Sequence, residues 1–338
     1  MRIRLHGSIH FRQNYNYLLG PLSQRGMPTQ NQTFYQYEAY ADALQHASLR
    51  ATFLGRKYAN WALNHLSINN LSVQWGHTGG PGAVEGAVHP GGSVILMPTH
   101  NAHVMRANGL RFGDYSLMVM RPGGEFCLSA TNFNRWINMF VPDELLAGFN
   151  GTALADIGPS CSLIRVPLDK AEKFRSAVEE LGLIVQRQPG AFDSSAAMKT
   201  TARKLVGLVR EVFRGQLDET PPPGRYEVPR RQIIRSAMDF VDQQADDYLV
   251  VEDLATAAGV SERTLRTAFQ DYFSVGPIRY LKLRTLHQVR RALKAADPSI
   301  TNVAEVATQF GVWHFGRFAQ DYQFLFGELP SQTLRKLH

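Results

Sequence analysis

The chain has 338 residues, with 36 Lys and Arg against 29 Asp and Glu for a net charge of +7, and only two cysteines, Cys127 and Cys161. That length suggests two domains, and 44% hydrophobic with 10% aromatic residues is enough for packed cores, which excludes a disordered chain. A disulfide framework is excluded too; no run nears the ~20 apolar residues of a membrane helix, and the start lacks a signal peptide's apolar core, so a cytoplasmic location without membrane attachment is expected.

Taken in chain order, residues 50–130 read as β. Partial alternation at 49–54, 61–68, 71–75 and 115–120 is punctuated by Gly/Pro clusters at 79–82, 90–92 and 122–124. Many short strands with such turns predict a sandwich or small barrel. Helices are predicted at 142–148, 169–181 and 194–214. In the last, Ala197, Leu205, Leu208, Val209 and Val212 share a face. This gives a cupin-like β-barrel or sandwich with a helical appendage over 1–214, read as a sensor and dimerisation domain. Trp61, Trp75, Phe112 and Tyr115 are the candidates to line a ligand cavity in it, with ordinary core as the competing reading. His77, His89, His100 and His103 lie in the β region, but no cupin-type His-x-His with a following Glu appears, so neither a metal nor another cofactor is expected. No nucleophile–base set, P-loop or paired-carboxylate motif has convincing context, so no catalytic residue is assigned and the chain is not read as an enzyme.

Pro221, Pro222 and Pro223 cannot continue a helix or a central strand, and an interdomain linker is placed at 215–229. Beyond it, 230–338 reads as helical throughout, which makes the whole an α+β two-domain chain. Ile233, Ile234, Ala237, Phe240 and Val241 form a helical stripe. A longer basic helix follows at about 277–296. Charge is uneven here: residues 230–261 hold three basic and six acidic side chains, whereas 262–296 hold eight basic and two acidic.

This half contains an internal repeat. Asp253-Leu254-Ala255-Thr256 matches Glu305-Val306-Ala307-Thr308, and Gly259-Val260 matches Gly311-Val312, at an offset of 52. After one inserted residue, Phe269, Phe273 and Pro277 match Tyr322, Phe326 and Pro330 at 53. Each copy has helix-turn-helix chemistry. A small Ala sits where two helices meet, a Gly at the turn supplies positive φ, and Ser261 is placed to cap the next helix. Leu265 and Phe269 face inward in the first copy, leaving Glu262, Arg263, Arg266, Thr267 and Gln270 outward. Phe318 and Tyr322 face inward in the second, leaving His314, Phe315, Arg317, Gln320 and Asp321 outward; Trp313 is assigned to core. Arg, Gln and Thr suit guanine, adenine and the thymine methyl respectively. Ser261, Lys282, Arg284, Arg290 and Arg291 are the candidates for the DNA backbone. For the last three, a solvated helix face or pairing with the acidic 239–247 segment is the alternative.

These residues resemble the DNA-binding domain of the AraC/XylS (arabinose-regulator) family of bacterial transcription factors. The first unit is carried by Leu254-Ala255, Gly259-Val260-Ser261-Glu262-Arg263-Thr264-Leu265 and Phe269. The linker helix is carried by Gly276-Pro277, Tyr280-Leu281, Arg284-Thr285-Leu286 and Val289-Arg290-Arg291-Ala292-Leu293. The second unit is carried by Val303-Ala304-Glu305-Val306-Ala307, Phe310-Gly311, Phe318, Tyr322 and Phe326-Gly327-Glu328-Leu329-Pro330-Ser331. Val312 and Gly316 stand where the family usually has Phe and Ser, and Tyr322-Gln323 replace Phe-Lys. The stretch from Trp313 to Phe318 is most like the subgroup that includes the ethanolamine-utilisation regulator.

The resemblance implies a double helix-turn-helix and a sequence-specific, DNA-binding transcription regulator, expected to be an activator controlled by a small-molecule effector in the N-terminal domain. The implied partners are double-stranded DNA, RNA polymerase, the effector and a second copy in a homodimer. The alternatives are a ligand-independent regulator with a dimerising N-terminal domain, or a cupin-type enzyme domain fused to a DNA-binding module.

Overall fold

A computed structural model describes residues 3–4, 29–55, 59–146, 161–188, 190–214, 227–243 and 248–335. The proline-rich part of the expected linker, 215–226, and the end of the predicted 142–148 helix lie outside them. The chain divides into two compact units: one combines Ser23–Ala51 with Lys57–Gly224, the other Met1–Leu22, Thr52–Arg56 and Arg225–His338.

In chain order the elements are β1 (Ile3–Arg4), β2 (Thr29–Phe34), α1 (Tyr37–Asp42), β3 (Ala47–Phe53), β4 (Trp61–Ile68), β5 (Leu71–Thr78), β6 (Gly82–Val88) and β7 (Gly92–His100). Then come β8 (Met105–Ala107), β9 (Leu110–Arg111), β10 (Ser116–Met120), β11 (Glu125–Ala130), β12 (Asn134–Pro142), α2 (Asp143–Leu146), β13 (Cys161–Arg165), α3 (Leu168–Arg187) and α4 (Ser195–Arg214). The remainder are α5 (Glu227–Gln243), β14 (Tyr248–Leu249), α6 (Val251–Ala257), α7 (Glu262–Phe273), α8 (Pro277–Ala295), α9 (Val303–Thr308), α10 (Phe315–Phe326) and α11 (Pro330–Arg335).

The sheet-rich unit is layered. A seven-stranded sheet runs β13-β10-β7-β12-β5-β4-β2 and a five-stranded sheet runs β3-β6-β11-β8-β9. Among the described residues neither order closes on itself, so of the expected barrel or sandwich the two sheets take the open, sandwich form. Strands of the larger sheet are apolar on both faces. Along β7, Val94 and Leu96 join the core between the sheets, while Ile95 and Met97 join a second core under the helices. On β10, Met118 and Met120 take the first core and Leu117 and Val119 the second. A sheet with two apolar faces needs covering on both. The helices supply the outer cover: Phe174 and Val178 of α3 and Leu205, Val209 and Val212 of α4 pack there. Gly182 of α3 lies over the Trp75 indole, where an added Cβ would stand 3.2 Å from the ring, so the helix and sheet approach closely at that point.

His46 belongs to this unit. Its backbone is left-handed (φ 66°) and its ring stacks on Phe140 at 4.0 Å. Burial first, and then the nearby His65 and His89, lower its pKa to about 4. The unfolded chain, with an ordinary pKa near 6.5, therefore binds the proton more readily. Stability from a neutral His46 is full above that value and is lost as pH falls from about 6.5 toward 4. We expect roughly 2–3 kcal/mol of loss from this group, read as a lower urea midpoint at pH 4.5 than at pH 7.5. His46→Leu should shrink that difference.

In the helical unit, Ile233, Ile234, Ala237 and Val241 of α5 are buried, as their spacing requires. Helix α8 begins at Pro277, where a missing N–H costs nothing. It is buried almost all round, through Tyr280, Leu281, Leu283, Leu286, Val289 and Leu293, and packs against α7, α9 and α11. It is the unit's central strut, not a surface linker.

Candidate nucleic-acid interface

The two halves of the repeat form the same local structure. Between α6 and α7, Gly259 takes φ 65°, its N–H reaches the Thr256 carbonyl at 3.0 Å, and the Val260 N–H reaches Ala255 at 3.0 Å. Between α9 and α10, Gly311 takes φ 72°, with bonds to Thr308 at 3.0 Å and from Val312 to Ala307 at 3.1 Å. This pair of bonds is a Schellman motif, and the left-handed residue in it favours glycine. Helices α7 and α10 each have 12 residues. Both end on a left-handed residue, Ser274 in the first copy and Gly327 in the second, so the repeat extends past what residue identity reveals.

The copies differ at their starts. The Ser261 hydroxyl accepts the Thr264 N–H at 3.2 Å and caps α7. His314, its counterpart, makes no side-chain cap on α10. On α9, Asn302 and Glu305 cap reciprocally at 3.0 and 3.2 Å.

The outward face of α7 matches expectation in its exposure. Leu265, Ala268 and Phe269 are buried, and Glu262, Arg263, Arg266, Thr267 and Gln270 are all exposed. Arg266 is held by Glu262 at 2.8 Å, and the Thr267 hydroxyl donates to the Arg263 carbonyl at 2.9 Å. On α10, Phe318 and Tyr322 turn inward, and His314, Phe315, Arg317 and Gln320 are exposed. Asp321 is half-buried and pairs with Lys282. Trp313, expected in the core, is 44% exposed.

The backbone candidates divide. Arg291 and Ser261 are exposed. Arg284 is 5% exposed and ion-paired to Asp242 of α5. Arg290 is 3% exposed, bonded to Glu328 at 3.0 Å and stacked over Phe326 at 4.3 Å. Lys282 is engaged by Asp321. Arg284 and Arg290 are thus removed from the surface that could meet phosphates. The cause is their place on the central strut, where a buried cation must be paired. The local excess of six positive charges shrinks accordingly, because three of the eight cations are answered by carboxylates lying outside residues 262–296.

The four aromatic ligand candidates do not gather. Trp61 is buried beside Tyr37 at 5.6 Å, Trp75 packs toward the helix layer, and Phe112 fills the core between the sheets. Tyr115 is 45% exposed, at the rim of a hollow shared with Asp114, Glu172 and Arg175. Of the histidines, His77 and His100 lie against Phe133 at 5.2 and 6.3 Å, and His89 shares a hydrogen bond with Ser48. Among the described residues, no three His, Cys, Asp or Glu side chains group as metal ligands, and no helix is long and apolar enough to cross a membrane.

Two tandem turns of this geometry define a helix-turn-helix module, the class whose second helix enters a DNA major groove. Residues 254–336 match the family model described as a helix-turn-helix domain. The chain is 37% identical over 125 residues to a "Probable thc operon regulatory protein" of Rhodococcus erythropolis, covering 36% of this chain and 35% of that one. It is 37% identical over 97 residues to the "XylDLEGF operon transcriptional activator 2" of Pseudomonas putida, covering 29% and 62%. The chain thus spans about a third of the length of the first relative and under two thirds of the second. Among solved structures, the AraC-like transcriptional activator CuxR aligns over 83% of this chain and 99% of its own, at 15% identity and a TM-score of 0.43.

Proposed function

We propose that this chain is a sequence-specific DNA-binding transcription regulator of the AraC/XylS type. In this reading it is an activator that works with RNA polymerase in the cytoplasm, as a homodimer, under control of a small-molecule effector bound by the sheet-rich unit. The observation that carries the reading is the doubled turn: two exposed polar helix faces, on α7 and α10, are braced by one buried strut. Helix α8 has 19 residues and spans about 28 Å at 1.5 Å per residue. That is the scale needed to hold two recognition helices in successive major-groove segments, ~34–36 Å apart. Base reading is assigned to Glu262, Arg263, Arg266, Thr267 and Gln270, and in the second unit to His314, Phe315, Arg317 and Gln320. The likeness of the second unit to the ethanolamine-regulator subgroup stays part of this proposal. So does a weaker hold on its phosphates, since Gly316 has no hydroxyl.

Selection from random duplex DNA with the full chain tests the reading. The expected product is a site with two half-sites about one helical turn apart; no enrichment over input would overturn it. On that site, Arg291→Ala should lower the slope of log K against log salt by about one. An unchanged slope would remove Arg291 from the interface.

A further inference from the structure

The two turns share their hydrogen bonds but not their length. Between Gly259 and the first residue of α7, Glu262, stand Val260 and Ser261. Between Gly311 and the first residue of α10, Phe315, stand Val312, Trp313 and His314. Val260 and Val312 make the same backbone bond, to Ala255 and Ala307, and Ser261 and His314 each occupy the N-cap. Trp313 is therefore the residue by which the second turn is longer, and the cause of the shift in repeat offset from 52 to 53.

A lone exposed apolar side chain needs no explanation, but the place of this one does. Trp61 and Trp136 are buried, whereas Trp313 lies open to water directly before α10, and Phe315, two residues on, is 40% exposed. The N-terminal residues of the second helix are the ones that a helix-turn-helix brings to base edges. Charge agrees with this placement. No acidic residue occurs from Gly311 to Gln320, and His314 and Arg317 are exposed there. In the first copy, by contrast, Glu262 stands in the first turn of α7. A polyanion approaching the start of α10 thus meets aromatic rings and a cation, and no carboxylate.

We propose that Trp313 reads DNA directly, laying its indole against a thymine methyl in the half-site that α10 enters. This rests on the DNA-binding reading above and deepens it by naming a contact and the base it selects. The thymine C5-methyl is the apolar group that base pairs present in the major groove, which suits a large uncharged ring. A phosphate suits it poorly, because indole has one N–H and no positive charge. The two half-sites are then read by different chemistry: hydrogen bonds from Arg266 and Gln270 of α7 in one, and apolar contact from Trp313 and Phe315 in the other.

The test uses the full chain and the duplex obtained by selection. Deoxyuridine replaces thymidine in each half-site in turn, which removes only the methyl group. In one half-site the unaltered chain should lose about fourfold in affinity, the worth of one buried methyl, and Trp313→Ala should show no further loss there. On the thymine duplex Trp313→Ala should bind roughly tenfold more weakly, and Trp313→Phe should keep most of the affinity. Neither variant should change the slope of log K against log salt. Trp313 is the only tryptophan in residues 225–338, so a saturating duplex should shield part of the indole fluorescence from acrylamide in the unaltered chain and not in Trp313→Phe. Undiminished affinity of Trp313→Ala, or a deoxyuridine effect of equal size with and without Trp313, overturns the contact. Acrylamide access unchanged by the duplex does so too, and leaves the exposed indole to a protein partner. The deoxyuridine comparison on the unaltered chain is independent of any variant's stability, and no loss in either half-site overturns the choice of thymine. The reading as a DNA-binding regulator fails separately, if selection enriches no duplex.

Discussion

Arg284→Ala is expected to destabilise the helical unit by about 3 kcal/mol or more, because removing one partner of a buried ion pair strands the other. Arg284 is buried and bonded to Asp242, whose side chain is 19% exposed. Partial access to water softens the penalty without removing it. Arg284 also sits on the strut that α7, α9 and α11 share, so the loss should appear as one cooperative fall in the melting temperature. The double change Arg284→Met with Asp242→Leu should recover most of the loss, since two well-packed apolar groups can replace a buried pair at little cost. The salt slope of DNA binding should not change in the folded fraction. A normal melting temperature with a slope lower by one would instead make Arg284 a phosphate contact.

Arg266→Ala should act in the opposite way. It is expected to weaken binding to the selected site by ~1–3 kcal/mol and to relax preference at one base pair, with nonspecific affinity nearly intact. Arg266 is exposed on α7, and its bond to Glu262 is a surface i,i+4 pair. Such pairs are worth only ~0.3–0.5 kcal/mol, so the guanidinium is released to a base cheaply, and the melting temperature should barely move. The measurement is a titration of the selected duplex against single-base variants at fixed salt. Equal loss on specific and unrelated DNA would make Arg266 a backbone contact.

The contrast between these two arginines shows how far sequence reached. Helix-turn-helix geometry is local. Its glycine, its cap and its i, i+4 inward pair lie within about 20 residues; the turn glycines and inward pairs of both copies formed as read, while the side-chain cap is found on α7 and not on α10, Trp313 is exposed and Asp321 is half-buried. Residue identity also hid the last correspondence, because Ser274 and Gly327 adopt the same left-handed backbone with different side chains.

Cations on the strut were not legible in the same way. Arg284 and Arg290 were expected to meet the DNA backbone, with a solvated face or pairing with the acidic 239–247 segment as the alternative; Arg284 takes that pairing, with Asp242, whereas Arg290 pairs with Glu328 instead. Their burial depends on Asp242 and Glu328, which come from other helices. The sandwich posed a similar problem. Alternation marks a strand with one wet face, but β7 and β10 are apolar on both faces, so neither the missing closure nor the helix cover was visible in their pattern. Among the ligand candidates, aromatic character drew attention to Trp61, Trp75, Phe112 and Tyr115. The structure instead scatters them between core and surface, with Trp61 and Phe112 buried and Tyr115 45% exposed.

The sequence by itself determined the double turn and the polar faces of α7 and α10, because short-range stereochemistry and side-chain spacing suffice for both. Only the tertiary structure decided which cations remain exposed and how both apolar faces of the larger sheet are covered. Those outcomes depend on partners distant in the chain, and on the need of every buried charge and every apolar face to be covered once the chain has closed on itself.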